Sequence, residues 1–334
     1  MRPGKVSPEI LRDLVFPFLI RRADVLVHAG VGQDAAVLDF GPWAVVLTCD
    51  PITGARQHLG RLAVHITCND LATTGAEPVA LLLTLLLDTG GPQAALEAIM
   101  HEAGAAAAAL GVEIVGGHTE VTPGIDRPIA MTAGIGRVRK DDLVTSRGAK
   151  PGDTVLLTKG AAIEGTAILA ADAAGRLRGR VDDAVLARAR GFIERISVVP
   201  EGMIAARYGA TAMHDVTEGG VLAGAWELAE AAGLGIEIHA EAIPVLPETA
   251  AICSALEADP LALVGSGAML IATRTPERTQ EALTGSGIPT AAIGVMTEER
   301  KAIVGPAGAR ELVPPPRDEL WRILEQASTL KATE

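Results

Sequence analysis

The stretch GRLAVHITCNDLATTGAEP, residues 60–78, decides how this chain is read. An apolar run is followed by Cys68, then Asn69 and Asp70, then small residues and Gly75. The apolar pattern over 61–75 predicts a helix lying on a core. An amide and an acid in so apolar a segment are expensive to bury unless something pairs with them. The segment is therefore a metal site, an active-site element or a helix cap, and the choice depends on whether the rest of the chain repeats the arrangement.

It does, at five junctions. GQDAAVLDF carries Asp34 behind Gly32; LTCDPITG carries Asp50; TCNDLATTG carries Asn69 and Asp70. VGGHTEVTP carries His118 and Glu120 behind Gly116 and Gly117. AMHDVTEGG carries His214, Asp215, Thr217 and Glu218 before Gly219 and Gly220. Taken alone, each acid reads as an N-cap or turn residue and each histidine as a satisfied structural one. Five together point to a ligand held where loops leave strand ends. Glycine lets backbone N–H groups approach a phosphate, and neighbouring carboxylates can hold a cation that bridges phosphates. No GxxxxGK[ST] occurs, so this is not a Walker loop. Lys159, in LTKGAAIEG, follows a strand and precedes glycine; it reads equally as a phosphate contact and as a surface lysine at a turn.

Composition narrows the class. Of 334 residues, 49% are hydrophobic and 21% charged, which favours a large core over disorder. With aromatics at 2% and a net charge of −12, neither stacking platforms nor a basic face for nucleic acid is expected. The cysteines Cys49, Cys68 and Cys253 have neither CxxC spacing nor an even count, so Cys49 and Cys68 read as small buried apolar residues. MRPGKVSPEILRDLV has no apolar signal core, and VALLLTLLL (79–87) is too short to span a bilayer. A soluble cytoplasmic protein with no membrane partner is expected.

Along the chain, strands are predicted at 43–50, 79–87, 112–117, 129–138, 153–160, 210–215, 234–240, 268–273 and 290–296. Helices are predicted at 61–75, 92–110, 164–175, 182–196, 199–209, 219–233 and 248–256, with one more between the last two strands and one at the C-terminus. VGGHTE reads as a strand running into a glycine loop. The polar stretch KDDLVTSRGAKPGD (140–153) reads as a boundary between residues 1–148 and 149–334. The fold expected is α/β (α+β), two domains with a cleft between them.

As an ordered set, GQDAAVL, TCDPITG, GRLAVHITCNDLATTGAEP, VGGHTE and HDVTEGG resemble the aminoimidazole ribonucleotide synthetase (PurM-like) superfamily over about residues 30–300. With KPGDTVLL and AIPV they are most similar to its HypE branch. The resemblance implies an N-terminal ATP-binding domain forming a β-barrel across a homodimer, and a C-terminal α/β sandwich. It implies ATP and Mg²⁺ in the cleft, with Asp34, Asp50 and Asp70 as metal ligands. Asp70, His118 and Asp215 would be catalytic, while Gly32, Asp34, Asn69, Gly116, Gly117, Thr119, Lys159, Gly219 and Gly220 would line the nucleotide. The implied chemistry is activation of an acceptor oxygen by the γ-phosphoryl group, the acceptor being a small molecule or attached to a protein. Alternatives are a kinase of the thiamine-monophosphate type and a nucleotide-binding maturation or regulatory protein without turnover. Unlike HypE, the sequence ends STLKATE with no cysteine after Cys253, so the resemblance does not extend to the cyanide-forming tail and leaves that role open.

Overall fold

The computed structural model describes residues 4–55 and 57–331, with backbone only for 326–331. Residues 1–3 of the N-terminal stretch and the last residues of STLKATE lie outside that range.

A short helix α1 (Pro8–Leu14) precedes strands β1 (Val25–Val27), β2 (Ala36–Phe40) and β3 (Trp43–Ile52). Helix α2 (Leu59–Ala72), strand β4 (Glu77–Leu87), helix α3 (Gln93–Leu110) and strands β5 (Glu113–Val121) and β6 (Ile129–Arg139) complete the first half. Its six strands lie in the order β1-β2-β3-β6-β4-β5, antiparallel except for β4 beside β5. Alternation decides which face is buried. Ala44 and Val46 of β3, and Leu81, Leu83 and Leu85 of β4, are buried against the α2 side. Leu82 and Met131 face outward and stay about 40% exposed.

The second half runs through β7 (Thr154–Thr158), α4 (Ile163–Asp172), α5 (Ala174–Leu177), α6 (Asp183–Arg190), α7 (Val199–Tyr208), β8 (Ala210–Asp215) and α8 (Gly220–Ala232). It continues with β9 (Gly235–His239), α9 (Pro247–Leu256), β10 (Met269–Thr273), α10 (Pro276–Gly285), β11 (Thr290–Thr297), β12 (Lys301–Gly305), β13 (Gly308–Glu311) and α11 (Glu319–Lys331). Seven strands pair in the order β13-β12-β9-β11-β7-β10-β8. This is the two-domain α/β architecture expected. Helix α2 joins the halves: one apolar cluster runs from Leu62 and Val64 to Leu169, Ile193 and Ile196. Among the described residues no helix is long and apolar enough to cross a membrane.

Besides α1, β1 and β2, which the sequence reading does not include, three places differ from it. The stretch at 182–196 breaks after Arg190 into a 3₁₀ turn, Gly191–Arg195. The hairpin β12–β13 is too short and polar at its ends to have stood out. Strand β5 does not end at the glycines but continues through GGHTEV, paired to β4 as far as Val121. The reason is backbone packing: Gly117 has φ +144, and a Cβ there would lie 1.8 Å from the Leu83 carbonyl oxygen. These glycines let two strands approach at a register shift, a role that looks the same in sequence as a phosphate loop.

Candidate active site

The segment at 67–78 resolves once α2 is in place. Asp70 sits in the last turn of α2, not before a helix, which excludes the N-cap. An acid is disfavoured at a helix C-terminus because it faces the negative end of the dipole. Asp70 is nonetheless buried, held by the Thr48 hydroxyl at 2.6 Å. Asp50 faces it from β3. That strand runs on past Asp50 to Ile52, beyond Leu47, where β2 stops pairing, so Pro51 stands where β3 is paired on one side only. Asp34 arrives from the loop before β2, and Asp215 from the end of β8 in the other half. All four carboxylates line one cavity of about 630 Å³ between the two halves.

So many acids cannot all be ionised cheaply. Burial, with Asp215 and Asp50 next to it, holds the Asp70 carboxyl well above the usual carboxylate range. Burial and the Asp34 charge push Asp215 up to about 8. Asp34 Oδ2 and Asp215 Oδ2 are buried with no hydrogen-bond partner among the described residues. Ligand atoms of Asp34, His214 and Asp215 all lie within 4.8 Å of one another. Two orphaned oxygens amid four hard oxygen donors fit a divalent cation of the Mg²⁺ type.

His214 belongs to this arrangement differently. Its Nδ1 lies 2.6 Å from Asp34 Oδ1 and its Nε2 3.1 Å from Glu227 Oε2. Burial alone would lower its pKa, but Asp34 and Glu227 outweigh that and raise it to about 10. It is an imidazolium clamped between two carboxylates, tying the Asp34 loop to α8. Lys5, from the N-terminal segment, reaches over the same wall. Its Nζ lies 3.0 Å from the Thr217 hydroxyl and 3.5 Å from Glu227 Oε1, and its N–H donates to Glu218 at 3.0 Å. Trp321 Nε1 donates to Glu218 from α11.

Gly32 also lines the cavity, pressed so close to α8 that a Cβ would lie 2.3 Å from the Glu227 carbonyl oxygen. The remaining expected residues do not line it. Asn69 points the other way: its side chain donates to the Ile196 carbonyl at 2.9 Å and accepts from the Val198 N–H at 2.7 Å. Lys159 donates to the carbonyls of Arg195 and Ser197 at 2.9 and 2.6 Å and lies 2.7 Å from Glu201. Both residues therefore pin segment 195–198, between the halves, instead of a phosphate. Gly116, Gly117, His118 and Thr119 are exposed on β5, where His118 pairs with Glu120 at 3.0 Å. The Gly219 N–H is taken by Asp318 at 2.6 Å, and Gly220 opens α8.

Comparison with known proteins agrees with this architecture. Residues 32–138 match the AIR synthase related protein N-terminal domain, and residues 150–305 its C-terminal domain. A putative hydrogenase expression/formation protein of Methanocaldococcus jannaschii is 32% identical over 90% of each chain. The chain belongs to the AIR synthase related family. The carbamoyl dehydratase HypE of Cupriavidus necator is 29% identical, covering 80% of this chain and 75% of that one. The crystal structure of hydrogenase maturation protein HypE in complex with ATP aligns at TM-score 0.70 and 25% identity, over 96% and 97% of the two chains. Within this family fold the acids Asp34, Asp50, Asp70 and Asp215 were legible in the sequence. His214 reads as structural only when taken alone, and Lys5, Thr48 and Glu227 carry no signal in the sequence reading. Thr48 lies within LTCDPITG but two residues from its acid, and Lys5 and Glu227 lie far from their partners in sequence, so only the tertiary contacts give the three meaning.

Proposed function

We propose that this chain is an ATP- and Mg²⁺-dependent phosphoryl-transfer enzyme of HypE-like type, activating an acceptor oxygen with release of ADP and phosphate. The observation that carries the reading is the convergence of Asp34, Asp50, Asp70 and Asp215, from three elements of one half and a strand of the other, on one cavity. The ATP complex of the structurally similar HypE supports it. Asp34, Asp70 and Asp215, with Asp50, would hold Mg²⁺, which neutralises charge on the phosphates when bound. The protein's own part is positioning. Thr48 fixes the Asp70 carboxylate, and the His214 imidazolium fixes Asp34 by an ion pair. Lys5 supplies a cation at the rim. Burial between the halves limits water around the acids and strengthens every electrostatic contact there. The experiment is calorimetry with Mg²⁺ and a non-hydrolysable ATP analogue on wild type, Asp50→Asn and Asp70→Asn. At least tenfold weaker binding, about 1.4 kcal/mol, is expected in both; unchanged affinity in both would sink the reading.

The reading extends to assembly and domain limits. The outward face of the first sheet carries Leu82, Met131 and Val115 exposed, with no helix over it among the described residues. A face of that kind supports a homodimer built on this sheet, closing a barrel with a second copy. The domain limit falls at residues 148 and 149, between the two matched family regions.

A further inference from the structure

The cavity holds a second group of acids that the metal cluster does not use. Glu164 is the second residue of α4, 5% exposed, and lines the cavity. The Ser266 hydroxyl and N–H donate to its carboxylate, yet Oε2 is buried with no hydrogen-bond partner among the described residues. Its neighbours are satisfied. Asp318 accepts from the N–H groups of Gly219 and Leu320 at 2.6 and 2.7 Å, and Glu218 from Lys5 and Trp321. Lys5, the only lysine or arginine lining the cavity among the described residues, is engaged with Thr217 and Glu227. Among the described residues, no other lysine or arginine lines the cavity to pair with Glu164.

Electrostatics separates the two groups. The charges that bear most on Glu164 are those of Asp318 and Glu218, whereas those that bear most on Asp215 are Asp34, His214, Lys5 and Asp50. Burial pushes Glu164 up to about 7 although Ser266 pulls it down. A lobe lined by three carboxyls repels phosphate, so the polyphosphate end of a nucleotide belongs with the metal cluster. A deep carboxylate with a free oxygen suits a positively charged N–H donor.

We propose that Glu164, held by Ser266 and with its Oε2 unpartnered in the cavity wall, is the subsite for a cationic nitrogen group, an ammonium or amidinium, on the acceptor. The assignment rests on the ATP reading above for its purpose but not for its geometry. The experiment is ligand-detected NMR titration of the full chain with agmatine and putrescine, with 1,4-butanediol and succinate as neutral and anionic controls. Each is run with and without Mg²⁺ and a non-hydrolysable ATP analogue. The expected result is binding of one or both cations and neither control. Glu164→Gln should weaken cation binding at least tenfold and leave nucleotide affinity within twofold. Ser266→Ala, which removes a donor that favours the ionised carboxylate, should weaken it severalfold. Failure of both cations to bind wild type, or equal affinity in Glu164→Gln, overturns the subsite. So does a tenfold loss of nucleotide affinity in Glu164→Gln with cation binding intact, which would give this lobe to the nucleotide base. If the nucleotide fails to bind wild type, the ATP reading falls, and the titration without nucleotide still decides the subsite.

Discussion

Replacing Asp215 with asparagine separates a metal ligand from a structural acid. The folded chain holds Asp215 at about 8, against an ordinary value of 3.8. Between those values the folded state keeps a proton that the unfolded chain gives up. Ligand-free stability therefore falls as pH rises, by about 1.4 kcal/mol per pH unit for one proton. Over pH 5.5 to 7.5 that is about 2–3 kcal/mol from this group, or several degrees in melting temperature for a chain of this size. Asp70, also raised, adds to the same slope. So does His214 above 6.5, because its pKa is raised to about 10 and its stabilisation is lost as pH climbs toward that value. Asp215→Asn removes one proton from the balance. Its melting temperature without ligand should match or exceed wild type at pH 7.5 and converge with it toward pH 5. Saturating Mg²⁺ with an ATP analogue should flatten the wild-type curve, since the cation takes the place of the retained protons, and should do much less for the variant. The assay is scanning fluorimetry at five pH values, with and without ligand. Parallel wild-type and variant curves, or an equal ligand-induced gain in both, would refute the argument.

His214→Gln leaves Asp34 and Glu227 facing each other without the imidazolium, and should destabilise the ligand-free protein by about 3–5 kcal/mol; a chemical-denaturation midpoint within error of wild type would contradict the clamp. Lys159→Met strands the buried Glu201 and two carbonyls, at a comparable cost in stability. Because Lys159 points away from the cavity, calorimetry on the folded fraction should show Mg·nucleotide affinity within twofold of wild type, and a tenfold loss would restore it as a phosphate contact. Leu82→Asp puts a charge in the middle of the outward sheet face; light scattering should report a dimer for wild type and a monomer for the variant, and two identical masses would remove that face from the assembly.

Much of the site was readable before any fold because its chemistry is written in residue type. Four acids recur beside glycines or at element ends, and carboxylates are the charged hard oxygen ligands a divalent cation favours, so Asp34, Asp50, Asp70 and Asp215 stand out as a set and their order identifies the family. The helix and strand periodicities of GRLAVHITCNDLATTGAEP and VALLLTLLL likewise followed from local burial patterns. What failed was direction. Asn69 adjoins Asp70 in sequence, but successive residues on a helix point about 100° apart, so one side chain enters the cavity while the other reaches Ile196 and Val198.

Glycine was ambiguous for a related reason. Gly117 admits the Leu83 carbonyl of a neighbouring strand and Gly32 the Glu227 carbonyl of α8, and a sequence does not say whether a missing Cβ makes room for a ligand or for the protein's own backbone. Charge partners lay furthest from view. Lys5 and Glu227 are separated by more than two hundred residues, as are Lys5 and Glu218, and His214 becomes an imidazolium only because α8 and the Asp34 loop close on it from opposite sides. The sequence determined which groups could hold a cation. The tertiary structure decided which of them face one another out of water, where a neighbour's charge and the loss of solvent set protonation.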